Sequence, residues 1–268
     1  GDVFARPVLR ALEAQPDRWN LSSLTAIVSS GVMWTEDNKR GLLRHLPGVE
    51  LIDAFAASET PGMGVSVSSG ASPPATARFD LGPDARVLDD DGAEVAPGSG
   101  IAGRVAVTGR IPLGYYKDPE KTAATFPVID GRRYSLGGDY ALVEADGTLR
   151  LLGRGSMCIN TGGEKVFPEE VEEALKRHPT VADAAVFGVP DERWGETVVA
   201  VVEPNPSCAV DEGTLIAHVR TKLAAYKAPR RVLAIAALGR AANGKVDYTS
   251  LRDHAVVLLA EKRPAGAG

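Results

Sequence analysis

The sequence predicts a mixed α/β and α+β protein. A βαβ piece comes first, then a small β-rich subdomain, then a small two-layer α/β domain. Three observations carry this. Residues 24–54 read as strand, helix, strand at βαβ spacing. From residue 79 to 152 the pattern changes to short strands with Gly- and Asp-containing turns. Residues 153–170 then pack two glycine clusters and several charges between apolar residues, and beyond them helix and strand patterns resume.

Taken in order, residues 5–15 form a helix candidate, with Pro7 suited to its first turn and Val8, Leu9, Ala11 and Leu12 as its apolar stripe. Residues 24–28 are a buried strand. Thr35 is placed to cap a helix with Leu42, Leu43 and Leu46 on its inner face. Residues 49–54 are the second strand, parallel to the first. Residues 54–59 thus lie just past the carboxyl end of a strand, where open α/β sheets bind ligands. Glu59 is there either as a site residue or as a surface carboxylate. Residues 61–77, rich in Gly, Ser and Pro, read as loop.

Two motif matches in the β-rich part are turns. The run Gly98-Ser99-Gly100-Ile101-Ala102-Gly103 fits GxGxxG, but a strand follows it where the dinucleotide motif needs a helix. The run Asp89-Asp90-Asp91-Gly92 lacks the ligand spacing of a calcium loop and reads as a hairpin turn. Residues 139–143 and 148–152 form a hairpin. If Asp146-Gly147 is its two-residue loop, Asp139 stands opposite Arg154. Such a pair could grip a diol such as ribose or form a cross-strand ion pair. Beyond residue 167, Pro168 opens a helix to about His178, with Val171, Ala174, Leu175 and His178 on its apolar side. Strands follow at 181–189 and 197–203, then an Asp211-capped helix and a strand at 231–235. Residues 239–247 form a polar loop holding Lys245, and 262–268 a frayed tail.

Composition narrows the function. With 268 residues, 44% hydrophobic and 24% charged, the chain can build a core. A net charge of −5 without a basic patch argues against nucleic acid. No apolar run approaches the ~20 residues of a membrane span. The two cysteines, Cys158 and Cys208, lie far apart and read as reduced thiols in a cytoplasmic protein. His45, His178, His218 and His254 have no metal spacing and are assigned structural roles.

The segment Gly153-Arg154-Gly155-Ser156-Met157-Cys158-Ile159-Asn160-Thr161-Gly162-Gly163-Glu164-Lys165-Val166 resembles the hinge and following loop of the adenylate-forming (AMP-binding) enzymes, and within them the acyl-CoA synthetases and fatty-acid–CoA ligases. Asp53-Ala54-Phe55-Ala56-Ala57-Ser58-Glu59-Thr60, Gly138-Asp139-Tyr140 and Asn243-Gly244-Lys245 resemble further motifs of that family, in its order. The resemblance covers nearly the whole chain but lacks the family's upstream phosphate loop. It therefore implies the C-terminal part of such an enzyme, inactive alone. Residues 1–153 would be the end of the large AMP-binding domain, with the βαβ piece at 1–78 and the β-rich subdomain at 79–153. Residues 154–268 would be the small mobile domain, with the hinge near 154–156.

The resemblance implies a reaction in which a carboxylic acid, ATP and coenzyme A give acyl-CoA, AMP and pyrophosphate through an acyl-adenylate. It implies Glu59 as the magnesium ligand, Phe55 against the adenine, and Ser58 lining the nucleotide and acyl pocket. Asp139 would bind the ribose hydroxyls with Arg154 as its partner, and Lys245 would be the catalytic lysine. Ser156 falls at the hinge, and Gly162, Gly163, Glu164 and Lys165 in the loop that meets the CoA arm. The family's usual Tyr-Gly is Phe55-Ala56 here, and its hinge Asp or Lys is Ser156. The motif wording points to bacterial enzymes of fatty or other bulky hydrophobic acids. A second reading is a non-catalytic remnant or a module that binds AMP or a partner protein. Apolar surface left uncovered by absent strands makes self-association an expectation.

Overall fold

The computed structural model describes residues 1–241 and 244–261, and it divides into two units, Gly1–Leu152 and Gly153–Gly268. Asn243 of the lysine motif and the expected tail at 262–268 lie outside the described residues.

The first unit opens with α1 (Asp2–Ala14), β1 (Ala26–Ser30), α2 (Glu36–His45) and β2 (Glu50–Phe55). The strands pair in parallel from Ala26 opposite Glu50 to Ser30 opposite Ala54, as βαβ spacing requires. Helix α1 begins earlier than its Pro7 suggests, so the proline sits inside it. The first turn is fixed from outside: Asp2 N–H donates to the Met33 carbonyl at 2.9 Å, and the Asp2 carboxylate accepts from Thr35 N–H at 2.9 Å. Thr35 does occupy the N-cap of α2, but its hydroxyl donates to Asp2 rather than capping its own helix. Trp34, Leu12, Leu42, Leu46 and Leu51 close this part of the core.

The chain then departs from expectation. Within the presumed loop at 61–77, β3 (Gly64–Ser68) runs antiparallel to β2, with Phe55 opposite Gly64 and Leu51 opposite Ser68. Its alternation of Val and Ser is a half-exposed strand pattern hidden by a loop-like composition. After it come β4 (Arg78–Leu81), β5 (Ala85–Leu88), β6 (Gly103–Val107), α3 (Pro119–Thr125), the short pair β7 (Val128–Ile129) and β8 (Arg132–Arg133), β9 (Ser135–Val143) and β10 (Leu149–Arg154). One eight-stranded sheet results, in the order β1-β2-β3-β4-β10-β9-β6-β5. The expected break at 78/79 falls inside β4, and both sides of it share this sheet. Met63, Phe79, Val87, Val105, Ala141 and Leu149 form the core beneath.

Both motif decoys are turns. Gly98 and Gly100 adopt φ of +73° and +72° ahead of β6. The Asp89 carboxylate accepts from the backbone N–H of Asp91 and Ala93 at 3.0 and 2.9 Å, closing the turn on itself. The β9–β10 turn corrects the hairpin register. Gly147 N–H donates to Glu144 C=O at 2.9 Å and Glu144 N–H to Thr148 C=O at 2.8 Å. Gly147 has φ +83°. This is a three-residue loop with a left-handed glycine, not the two-residue loop assumed from Asp146-Gly147. The register that set Asp139 opposite Arg154 is displaced by one residue at the turn.

The second unit contains β11 (Ile159–Thr161), β12 (Glu164–Val166), α4 (Pro168–Lys176), β13 (Val181–Asp191), β14 (Gly195–Pro204), α5 (Glu212–Arg220), β15 (Arg231–Ala234) and α6 (Tyr248–Glu261). β13 and β14 form a long antiparallel hairpin, and β15 adds to β14 in parallel. Alternate residues of this sheet enter two cores. Ala184, Val186, Val198, Ala200 and Val202 meet Val171, Leu175, Leu215 and Val219 from α4 and α5. Ala185, Phe187, Val199 and Val201 meet Ala255 and the other inner residues of α6 on the opposite face. The domain is α/β as expected, but α6 adds a layer to the two predicted. Asp247 caps that helix, accepting from Ser250 N–H at 3.1 Å. His178 and His218 pack edge to face at 5.1 Å between ring centroids, a structural use of both.

Candidate functional site

In the first unit the candidate groups gather where β2 ends. Phe55 lies half-buried with its ring 5.2 Å from that of Phe79. The chain then folds tightly, Ala57 and Thr60 exchanging backbone hydrogen bonds of 3.1 Å each way. Ser58 and Glu59 project from this turn, Ser58 exposed and Glu59 half-buried. Two contacts fix Glu59. Tyr115 donates its phenolic hydrogen to Glu59 Oε1 at 2.8 Å, and the Ser135 hydroxyl donates to the Glu59 carbonyl. The buried Thr60 hydroxyl lies 3.1 Å from Ser135 Oγ, so Thr60 is left as the donor in that pair.

Ser135 opens β9, the strand that carries Asp139, whose side chain is buried. Gly137 stands between them. A Cβ there would lie 3.1 Å from Thr60 Oγ1 and 3.6 Å from Asp139 Oδ2. The missing side chain lets the Glu59 turn approach the Asp139 carboxylate closely. The sequence reading proposed Phe55, Ser58, Glu59 and Asp139, and did not include the residues that contact Glu59. Tyr115 had a weak signal in the run Gly114-Tyr115-Tyr116 and Thr60 closes the run that begins at Asp53, while Ser135 had no signal.

The remaining candidates belong to the second unit. Arg154 is exposed, and its backbone N–H donates to Glu169 Oε1 at 3.3 Å. Ser156 lies exposed in a single 3₁₀ turn, Gly155–Met157. Gly162 and Gly163, with φ of +60° and +86°, make the two-residue turn between β11 and β12, where Thr161 faces Glu164. Gly162 N–H donates to the Trp194 carbonyl at 2.9 Å. A Cβ on Gly162 would meet the Trp194 ring at 2.8 Å, so the turn lies directly against the indole. The guanidinium groups of Arg193 and Arg230 sit 4.8 and 4.6 Å from the Trp194 ring centroid. Only the fold joins Arg230 to this cluster, which is why the sequence did not reveal it. Burial pushes the nearby Cys158 thiol up, against the opposing charge of Lys165.

Lys245 is exposed. Its backbone carbonyl accepts from Ala241 N–H at 2.9 Å. Gly244, buried with φ +82°, donates to Ala241 C=O at 2.8 Å. The loop is tied to β13 through Arg240, which binds Asp183 through Nε at 2.5 Å and Nη2 at 2.9 Å. Burial pushes the Asp183 carboxyl up, but the hydrogen bonds and charge of Arg240 outweigh it and hold the group below its usual range. The stability this pair supplies is complete above the ordinary Asp value of about 3.9. It is lost as pH falls through the lowered native value. Asp183→Asn is therefore expected to destabilise the protein at neutral pH and to flatten the acid slope below about pH 4. Urea unfolding from pH 7 down into that range measures both.

Among the described residues, no group of three His, Cys, Asp or Glu side chains could hold a metal ion, and no helix is long and apolar enough to cross a membrane. Residues 170–245 match the model of the AMP-binding enzyme C-terminal domain. The chain is 47% identical to a medium/long-chain-fatty-acid–CoA/3-oxocholest-4-en-26-oate–CoA ligase of Mycolicibacterium smegmatis, covering 99% of this chain and 48% of that one. It is 48% identical to a 3-oxocholest-4-en-26-oate–CoA ligase of Rhodococcus rhodochrous, covering 94% and 46%. The chain thus spans about half the length of the curated relatives it matches. Among solved structures, the amide bond synthetase McbA of Marinactinospora thermotolerans superposes with a TM-score of 0.78 at 26% identity, over 93% of this chain and 55% of that one. The anthranilate CoA ligase AuaEII in complex with anthranoyl-AMP gives 0.75 at 27%, over 90% and 46%. The chain belongs to the adenylate-forming, AMP-binding enzyme superfamily, on its acyl-CoA synthetase branch, and corresponds to the C-terminal portion of those enzymes.

Proposed function

We propose that this chain works in ATP-dependent acyl-CoA synthesis, converting a carboxylic acid, ATP and CoA into acyl-CoA, AMP and pyrophosphate through an acyl-adenylate. The observation that carries the reading is the Ser135–Thr60 link, which fixes the Glu59 turn to the strand bearing Asp139. A carboxylate for a metal and a carboxylate for a ribose diol are thereby held in one rigid piece of sheet. The names of the mycobacterial and rhodococcal relatives support a bulky hydrophobic acid, of fatty or steroid type, as the substrate.

The first step joins two anions, so it needs positive charge where the negative charge develops. Lys245, exposed on its tied loop, supplies an ammonium for the carboxylate and the α-phosphate. Asp139 accepts from the ribose hydroxyls, Phe55 offers a ring edge fixed by Phe79, and Ser58 lines the same turn. The Glu59 carboxylate fits magnesium, a hard ion bound by one or two carboxylates with phosphate and water completing its shell. When bound, the ion would neutralise phosphate charge. In the second step the CoA thiol attacks the acyl-adenylate and AMP leaves. The Gly162-Gly163 turn lets the backbone approach the CoA arm closely, with Glu164 and Lys165 beside it and Ser156 as the pivot. Trp194, with the guanidiniums of Arg193 and Arg230 near its ring, suits a nucleotide-bearing thiol. The setting is cytoplasmic, consistent with two free cysteines.

Titration with a non-hydrolysable acyl-adenylate analogue tests the nucleotide site, with binding expected for the native chain and lost in Asp139→Ala. Mass spectrometry tests the overall reaction in mixtures of ATP, magnesium, CoA and medium-chain, long-chain and steroid-type acids. Absence of both analogue binding and acyl-CoA formation would overturn the reading.

A further inference from the structure

The Lys245 loop is tied down by a residue that the reaction itself does not call for. Besides its two bonds to Asp183, Arg240 donates through Nη1 to the Gly244 carbonyl at 2.9 Å. The guanidinium therefore spans from β13 to the residue directly before the lysine. Its planar fork suits this: two donors grip the carboxylate while a third reaches the carbonyl, which a lysine ammonium cannot match in geometry. Both side chains are mostly buried, at 20% and 16% exposure for Arg240 and Asp183. The bonds of Ala241 to Lys245 and of Gly244 to Ala241 then complete a frame around the lysine backbone. A flexible four-carbon side chain can deliver its ammonium reproducibly only from a fixed backbone, and misplacement by about 1 Å can cost about a hundredfold in rate.

We propose that Arg240 is a positioning residue for Lys245, acting through the Gly244 carbonyl with Asp183 as its post, and so serves adenylation and not thioester formation. The half-reaction part rests on the reading of Lys245 given above; the anchoring part does not.

The test uses Arg240→Lys, with Asp183→Asn as a second variant that loosens the same anchor from the other side. Residue-resolved hydrogen exchange should show the Ala241 and Gly244 amides speeding up about tenfold or more in both variants, and by clearly more than the amides of β13 and β14, which follow only the change in global stability. Unchanged exchange at those two amides would overturn the anchoring. Equal acceleration across β13 and β14 would reduce Arg240 to a general stabilising role and would also overturn it. In the complete enzyme, Arg240→Lys should lower ATP–pyrophosphate exchange about tenfold, leave thioester formation from supplied acyl-adenylate within about twofold, and add nothing in a Lys245→Ala background. Equal loss of both half-reactions, or additive loss with Lys245→Ala, would overturn the positioning role. If native enzyme shows no ATP–pyrophosphate exchange, the functional reading fails while the amide data still decide whether Arg240 anchors the loop.

Discussion

In the complete enzyme, Lys245→Ala is expected to lower ATP–pyrophosphate exchange by about a hundredfold or more while sparing thioester formation from supplied acyl-adenylate. Removing a single group that stabilises developing charge in a transition state typically costs about 10²–10³ in rate. Adenylation brings a carboxylate against a triphosphate, so an ammonium counts most there. The second half-reaction starts from a neutral mixed anhydride carbonyl, where the same charge has less to offset. The exposed position of Lys245 means that its loss empties no core, and folding should be unaffected. Thermal unfolding should show the variant's midpoint within a degree or two of the native one, as for a surface substitution. Equal loss of both half-reactions would sink the assignment.

Lys39→Ala is expected to destabilise the first unit by about 3–5 kcal/mol, the range for removing one partner of a buried ion pair. Lys39 is fully buried on α2, with its ammonium 3.0 Å from Asp53 Oδ2 and 2.9 Å from the Ala75 carbonyl. It also lies 5.5 Å from the Trp34 ring centroid. Asp53 is itself buried, and burial pushes its carboxyl up more strongly than Lys39 pulls it down. Without the ammonium, the carboxylate has either to stay charged in the core or take up a proton. The deficit should therefore shrink as pH falls towards the carboxylate range, where protonation relieves the unpaired charge. Urea unfolding followed by tryptophan fluorescence gives the number directly, with Trp34 as a reporter beside the pair. A loss below about 1 kcal/mol would show the pair to be no better than a surface one. Asp53 is on the same strand as Phe55, so the variant should also weaken binding of the adenylate analogue.

Period and spacing made the βαβ unit legible, because Leu42 and Leu46 recur at helical intervals and the flanking strands are apolar. The same period concealed Lys39 and Glu172. Each sits three residues before a core leucine, Leu42 and Leu175, and so is carried inward by the helix. Glu172 is compensated by Val186 N–H and the Tyr248 hydroxyl, each at 2.9 Å, partners that no local pattern announces. Strand β3 was lost to composition, since Ser and Gly are loop residues until a neighbouring strand pairs with them. Helix α6 had a readable stripe in Leu251, Ala255, Leu258 and Leu259, obscured by the polar loop ahead of it. At the candidate site, the residues proposed to carry chemistry stood in recognisable order, whereas Tyr115, Ser135, Trp194 and Arg240 enter only through contacts made across the fold.

The sheet of the second unit is covered on both faces by helices of its own sequence. Its apolar residues are satisfied at home, and substitutions elsewhere in the chain leave that core untouched. Such a body can be inherited whole. Variation in the parts that recognise an acid can then proceed without renegotiating the domain that carries Lys245 and the glycine turn. Grafting Gly153–Gly268 onto the matching position of a relative with another acid preference should therefore preserve folding and leave substrate choice with the recipient.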